Sequence, residues 1–160
     1  MGKKFELTDK FIINVFGIKL FQIKCTKSFK YAQKGDLGGY VEKEGNLDQE
    51  NDAWVSGNAQ VSGDARVSGN AWVSGNARVS GDANIKNNNE HCGFDGFGSC
   101  NRHTHAYLTK EKKVEITCGC FRGSIEEFEK KVEETHSGTI YEKQYKAIIN
   151  VIKIKFGLTD

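Results

Sequence analysis

The sequence predicts a mainly β protein with C-terminal helices, built around a short parallel β-helix. Three observations predict it. A six-residue repeat runs through the middle of the chain, strand-like alternation flanks it, and two stretches near the C-terminus carry apolar residues at helical spacing. A chain of 160 residues can bury one core, or one solenoid with two small attached layers. It divides into an N-terminal β meander or cap, 1–40, a hexapeptide-repeat β-helix, 41–90, and a C-terminal β-hairpin and helix pair, 91–160.

Written in sixes, residues 49–90 read QENDAW, VSGNAQ, VSGDAR, VSGNAW, VSGNAR, VSGDAN and IKNNNE. In each unit a β-branched residue (Val55, Val61, Val67, Val73, Val79, Ile85) points inward, and the alanine four later (Ala59, Ala65, Ala71, Ala77, Ala83) lies inward beside the corner. Gly-Asn or Gly-Asp between them supplies the tolerant backbone of a corner. Six residues make one side and eighteen close a coil, so residues eighteen apart stack at roughly 4.8 Å. Trp54 then lies over Trp72, Asn58 over Asn76 and Asp64 over Asp82. The alanine frame extends back through Ala53 to Leu47 and Val41, while Gln49 and Lys43 interrupt the valine frame, giving about two and a half coils.

So short a solenoid is open at both ends, and repeat arrays need caps or neighbours there. Stacked Trp54 and Trp72 on an outward wall form an apolar patch. Both features predict a homo-oligomer, with a trimer of coils around an axis favoured. The alternative is that the chain's own terminal sections cover the tryptophans.

In the N-terminal section Phe5–Leu7, Phe11–Val15 and Ile18–Ile23 alternate as a hairpin or three-stranded meander, and Lys34–Gly39 reads as a turn-rich bridge into the first coil. After the polar run Lys86–Glu90 comes a glycine-rich segment, His91–Cys100. Strands Thr104–Thr109 and Val114–Cys118 then pair across the turn Lys110–Lys113. Ser124 and Glu127 form a capping box that opens a helix burying Ile125, Phe128 and Val132 and ending near His136. A second helix presents Tyr141, Tyr145, Ile148, Ile149, Ile152 and Phe156 along one side.

Composition excludes several classes. The formal charge of +2 leaves no footprint for direct nucleic-acid or anionic-membrane binding. Lys and Arg against Asp and Glu number 8 and 3 in residues 1–40 and 4 and 8 in residues 41–90, so the meander is basic and the solenoid acidic. Phe11–Ile23 is broken by Asn14, Gly17, Lys19 and Gln22 and does not read as an export signal, and no apolar run has the length of a membrane span. Five cysteines, an odd number without such a signal, predict reduced thiols. The expected location is the cytoplasm.

The repeat resembles the bacterial transferase hexapeptide family over about a quarter of the chain. That resemblance implies a left-handed coil, commonly in trimeric acyltransferases. Such enzymes use a histidine on or beside the coil, and residues 41–90 contain none. A second resemblance spans nearly the whole chain. The order of Gly35–Glu44, the Ala/Val/Gly repeat, Gly98-Ser99, Cys118–Ser124 and a Glu-rich helix pair is similar to a largely uncharacterised family of phage and prophage proteins. It implies a viral protein made in the host bacterial cytoplasm and acting on host pathways.

Functional residue types are densest in Ser99, Asn101, Arg102, His103, Thr104, His105 and Tyr107, facing Cys120, Phe121, Arg122 and Ser124 across the predicted hairpin. One reading is a pocket for a phosphate-bearing small molecule. Arg102 and Arg122 pair with phosphate oxygens, Gly119 and Gly123 permit close backbone approach, Ser124 opens a helix N-terminus, and Phe121 or Tyr107 stacks on a base. A second is zinc held by Cys92, Cys100, Cys118 and Cys120 with His103 or His105, although Cys-x7-Cys and Cys-x-Cys are not the usual knuckle spacing. A third is a thiolate of Cys118 or Cys120 activated by His103 or His105. In the plain structural alternative the cysteines pack under the helix and the arginines are solvated. The site is expected to have no catalytic residue, metal or cofactor. The chain reads as a non-enzymatic phage protein that neutralises a host component, sequestering a nucleotide-type immune signal. The alternatives are a protein inhibitor of a host defence complex acting through the coil wall, and a hexapeptide-type acyltransferase.

Overall fold

The computed structural model describes residues 2–158; Met1, Thr159 and Asp160, at the outer ends of the first and third sections, lie outside it. It is mainly β with two C-terminal helices. Strands β1 (Phe5–Ile13) and β2 (Lys19–Cys25) form an antiparallel hairpin. Two strands were expected before Phe16. Instead β1 runs through them, shifting register between Leu7 and Phe11, where Thr8 Oγ1 donates to the Gln22 carbonyl and keeps the polar stretch on its partner.

The bridge expected at Lys34–Gly39 is corrected: Leu37–Val41 is a strand, β3. It pairs antiparallel with β2 on one side and parallel with the solenoid on the other, so it is where the meander becomes a coil. Its two glycines lower strand propensity and concealed it. They are there for space, since a Cβ on Gly38 would lie 2.7 Å from the Val55 carbonyl oxygen, and one on Gly39 2.7 Å from that of Ala59.

The repeat forms three walls of two-residue strands. In the first β4 (Trp54–Val55) pairs with β7 (Trp72–Val73), in the second β5 (Gln60–Val61) with β8 (Arg78–Val79), and in the third β6 (Arg66–Val67) with β9 (Asn84–Ile85). All three pairs are parallel and eighteen residues apart, as the register predicts. The valines and alanines fill the interior, essentially without exposure.

The backward extension of the repeat is corrected. Val41 stands beside Val61 and Leu47 beside Val67, so both belong to the valine frame and are offset by twenty residues rather than eighteen. The two extra residues sit in the corner before Ala53, where Asn51 takes a left-handed backbone (φ 58°). That corner seats the N-terminus. Buried Lys4 donates through Nζ to the carbonyls of Glu50, Asn51 and Ala53, and Gln49 Oε1 accepts the backbone N–H groups of Lys4 and Phe5. Burial pushes the Lys4 ammonium below its ordinary pKa, while Asp48 and Asp52 oppose the shift.

The tryptophans are in register, but the expected outward patch is corrected. Phe29 packs edge-on over Trp54 at 5.3 Å and leaves it 2% exposed; Tyr31 stacks on Trp72 at 4.8 Å and leaves it 41% exposed. The chain's own N-terminal section covers Trp54 and only part of Trp72, and its residues share one core with the coils.

Past the coils, β10 (His91–Phe97), β11 (Arg102–Leu108), β12 (Val114–Cys118) and β13 (Phe121–Ser124) form an antiparallel sheet in that order. The expected hairpin is its middle pair. The sheet closes the end of the solenoid: Tyr107 is fully buried in the solenoid core, Thr117 Oγ1 donates to the Arg78 carbonyl at 2.7 Å, and Arg78 Nη1 donates to the Gly119 carbonyl at 3.0 Å. Its other face packs Ala106, Ile116 and Cys118 against α1 (Ile125–His136) and α2 (Ile140–Lys155). The capping box at Ser124 and Glu127 is present, and Tyr145, Ile148, Ile149 and Ile152 form the buried stripe of α2. No described helix is long and apolar enough to cross a membrane.

Candidate functional site

Strand alternation separates the residues that the sequence places in one patch. On β11 the side chains of Arg102, Thr104 and Ala106 take the helix face, whereas His103, His105 and Tyr107 take the solenoid face. Thr104 pairs with Cys118 and His105 with Thr117, as expected of the hairpin, but two sites result rather than one. Ser99 and Asn101 lie in the β10–β11 turn, where Asn101 has φ 51°.

On the helix face, a cleft of about 490 Å3 opens between α1 and the ends of β11 to β13. Arg102, Arg122, Lys131 and His136 line it, and among the described residues no carboxylate does. Its aromatic floor is a connected series: Phe121 and Phe128 have centroids 5.1 Å apart, Phe128 meets Tyr145 edge-on at 5.5 Å, and His136 stacks on Tyr145 at 5.6 Å. Arg122 touches the cleft's edge but stands opposite Thr117 on the solenoid side of β13, with its guanidinium paired to Glu115 at 3.2 Å and close to Gly81 of the coils; among the described residues Arg102 and Lys131 form no ion pair. Arg102 lies over Gly119, where a Cβ would come within 2.6 Å of Nη1. Cys120 is exposed at the β12–β13 turn beside this cleft. Burial and the neighbouring Cys118 push the Tyr145 phenol well above its ordinary pKa, so it is a neutral donor.

Ser124 does not line this cleft. Its Oγ accepts the Glu127 N–H at 3.1 Å, and the Glu127 carboxylate accepts the Ser124 N–H at 3.1 Å, so Glu127 stands where an anion would dock. These hydrogen bonds hold the Glu127 carboxyl below its usual pKa. Ser124 instead lines a larger groove of about 900 Å3 between the second solenoid wall and β12–β13. There Asp64, Asp82, Glu111, Glu115 and Glu127 outnumber Arg78, Lys113 and Arg122, a balance that disfavours phosphate. Tyr107, buried against the coils, is not available to stack on a base.

The cysteine readings find no geometry. Cys118 is buried, accepts from Thr104 Oγ1 at 3.3 Å, and lies on the sheet face opposite His103 and His105. Cys92 is half-buried, and Cys100 and Cys120 are exposed. Among the described residues no three His, Cys, Asp or Glu side chains are placed to share a metal ion.

The solenoid face holds an arrangement that the sequence reading missed. His91, at the start of β10, joins His103 and His105 in an unbroken line. The contacts are His91 Nδ1 to His105 Nε2 at 2.9 Å, His105 Nδ1 to His103 Nε2 at 2.9 Å, and His103 Nδ1 to Asp95 Oδ1 at 2.6 Å. The i, i+2 spacing of His103 and His105 was visible; His91 and Asp95 were hidden because their glycine-rich segment does not read as a strand. Burial drives the pKa of His91 down to about 4 and that of His105 well below its ordinary value.

Both shifts are downward, so near pH 6.5 the unfolded chain takes up protons that the native rings refuse. Stability is therefore full above about pH 6.5 and falls as the pH drops toward 4, by about 1.4 kcal/mol per pH unit for each proton withheld. Urea midpoints between pH 8 and 4 check this. A midpoint that holds constant or rises on acidification contradicts it.

A family model of the YdcK β-solenoid repeat matches residues 59–75, inside the three-walled region. Among curated proteins none matches the sequence. The chain is thus similar to that solenoid family in the segment that supplies its Val-Ala interior and glycine corners.

Proposed function

We propose that this is a non-enzymatic, phage-encoded binding protein of the host bacterial cytoplasm that sequesters a small phosphate-bearing, nucleotide-like molecule. The observation that carries this reading is the cleft beside α1, where Arg102, Lys131 and an aromatic floor meet with no carboxylate among the described residues that line it. Its volume falls in the range of small-molecule sites. Arg102 and Lys131 supply charge-assisted hydrogen bonds to phosphate oxygens, and Phe121 offers a π-face to a base. The solenoid serves as scaffold, with a left-handed coil of about two and a half turns on the resemblance to hexapeptide-repeat proteins. The phage origin rests likewise on the sequence resemblance. A second reading, docking of a host protein on the coil wall, is favoured by the exposed part of Trp72 beside Tyr31.

A thermal-shift panel of mono-, di- and cyclic nucleotides, with inorganic phosphate alongside, tests the cleft. A ligand at one hundred times its Kd stabilises by about 2.7 kcal/mol, which raises Tm by roughly 5–11 °C in a chain of this size. Arg102→Ala is expected to weaken that nucleotide about tenfold or more, the loss of a hydrogen bond to a charged group. No shift with any nucleotide, or equal shifts in Arg102→Ala and wild type, would overturn the assignment.

A further inference from the structure

The line of imidazoles on the solenoid face can be read by counting protons. Both of its ends are acceptors. Asp95 presents a carboxylate oxygen, and Asn88 presents Oδ1, fixed as an acceptor because the Trp72 backbone N–H donates to it at 2.8 Å. From end to end there are four contacts: Asn88 Oδ1 to His91 Nε2 at 3.4 Å, two ring-to-ring contacts at 2.9 Å, and His103 to Asp95 at 2.6 Å. Each contact needs one proton, and three neutral imidazoles carry three.

The distances show which contact goes without. The charge-assisted contact to Asp95 is short and the contact to Asn88 is long, as expected if every N–H points toward Asp95. His103, His105 and His91 are then all Nδ1–H tautomers, and His91 Nε2 is a bare lone pair facing the Asn88 carbonyl oxygen. The site is built for this line. Gly93 leaves the room it occupies, since a Cβ there would lie 2.6 Å from His103 Cε1 and 2.7 Å from His105 Nδ1.

We propose that His91, His105, His103 and Asp95 form a single proton-binding site, which takes up one proton from solvent and reverses the tautomers of half-buried His91 and buried His105 in concert. The proton bonds to His91 Nε2 and donates to Asn88. The former Nδ1 proton of His91 passes to His105 Nε2, and that of His105 passes to His103 Nε2. His103 keeps its Nδ1–H toward Asp95 and becomes the imidazolium beside the carboxylate. One proton enters, two cross a ring-to-ring contact, all four contacts are filled, and His91 and His105 end neutral as Nε2–H tautomers. Burial of those two rings, which disfavours charge on them, agrees with this placement.

A metal ion does not fit the same space. Imidazole nitrogens bind zinc at about 2.0–2.1 Å each, which separates two ligating nitrogens by roughly 3.3 Å at a tetrahedral angle. The ring pairs here are closer and face one another in series. Among the described residues the charged groups around the line are few. Lys155 of α2 acts on His91 and opposes its protonation, and Glu90, in the Asn88–Glu90 turn, is turned toward Asn87. Cys92 is the thiol adjoining His91 in β10, and Thr117 of β12, opposite His105, carries no charge. Through exposed Asn88 this end of the line is hydrogen-bonded to the backbone N–H of Trp72 in the last coil.

Long-range 1H–15N spectra of the full chain with labelled histidine, recorded from pH 8 to 5, test the proposal directly. At pH 8 His91 and His105 are expected as Nδ1–H tautomers. On acidification both convert to Nε2–H at one shared midpoint, at which His103 becomes doubly protonated. Asp95→Asn gives a second, independent reading. The amide can donate to His103 Nδ1, so three protons satisfy all four contacts and the rings are expected as Nε2–H tautomers already at pH 8. Separate midpoints for the three rings, unchanged tautomers in the wild type, or a persisting tautomer change in Asp95→Asn would each overturn it.

Discussion

Trp54→Ala is expected to destabilise the protein by about 3–5 kcal/mol, the range for removing a large aromatic side chain from a packed interior. Trp72→Ala, at the equivalent position one coil later, is expected to cost much less. Sequence alone makes the two equivalent, because they share a frame and pair in register. Their surroundings differ. Trp54 is enclosed by Phe29 and by the Gly38 backbone, from which a Cβ would reach its ring at 2.8 Å. Trp72 keeps 41% of its surface in solvent, with one face against Tyr31 and its indole N–H donating to Ser56 Oγ at 2.8 Å. Urea unfolding of both variants, followed by circular dichroism, separates the cases; equal losses would mean that the N-terminal section does not cover Trp54.

The second large effect is expected at a corner. Gly69→Ala and Gly75→Ala both place a side chain on a left-handed backbone, φ 58° and 65°, at equivalent points of successive units. That alone costs roughly 1–2 kcal/mol. Around Gly75 there is open space, so its variant should lose only that amount. At Gly69 the new Cβ would overlap the Lys86 carbonyl oxygen, which also accepts the Asn70 N–H at 3.1 Å. Relieving the overlap strains or breaks that bond and adds about 1–3 kcal/mol, as overpacking does. The difference between the variants isolates the overlap from the backbone term. Equal unfolding free energies would show that the last corner is looser than the backbone positions indicate.

The candidate sites were legible in part. Arg102, Cys120 and Phe121 lie at the helix-side cleft as a group, because a hairpin brings its ends together whatever else surrounds it, whereas strand alternation turns the Arg122 guanidinium to the solenoid side. Lys131, His136 and Tyr145 escaped because they come from the helices, and helical periodicity does not say which part of a sheet a helix covers. Ser124 was identified correctly as a cap, and that role is why it is unavailable to a ligand. The histidine line was half legible: spacing put His103 and His105 on one face, but whether His91 joined them depended on a third strand and its register.

What the sequence determined by itself was periodic. The eighteen-residue stacking, the valine and alanine interior, the capping box and the stripe of α2 follow from local repetition, which leaves the same imprint in every unit. The tertiary structure decided everything that required one section to find another. It moved Val41 and Leu47 into the valine frame through a two-residue corner and made Leu37–Val41 a strand despite its glycines. It also buried Trp54 while leaving Trp72 half open. These outcomes turn on close approach between distant backbones and on which side chain reaches a shared surface first. Neither quantity has a period, so neither is written along the chain.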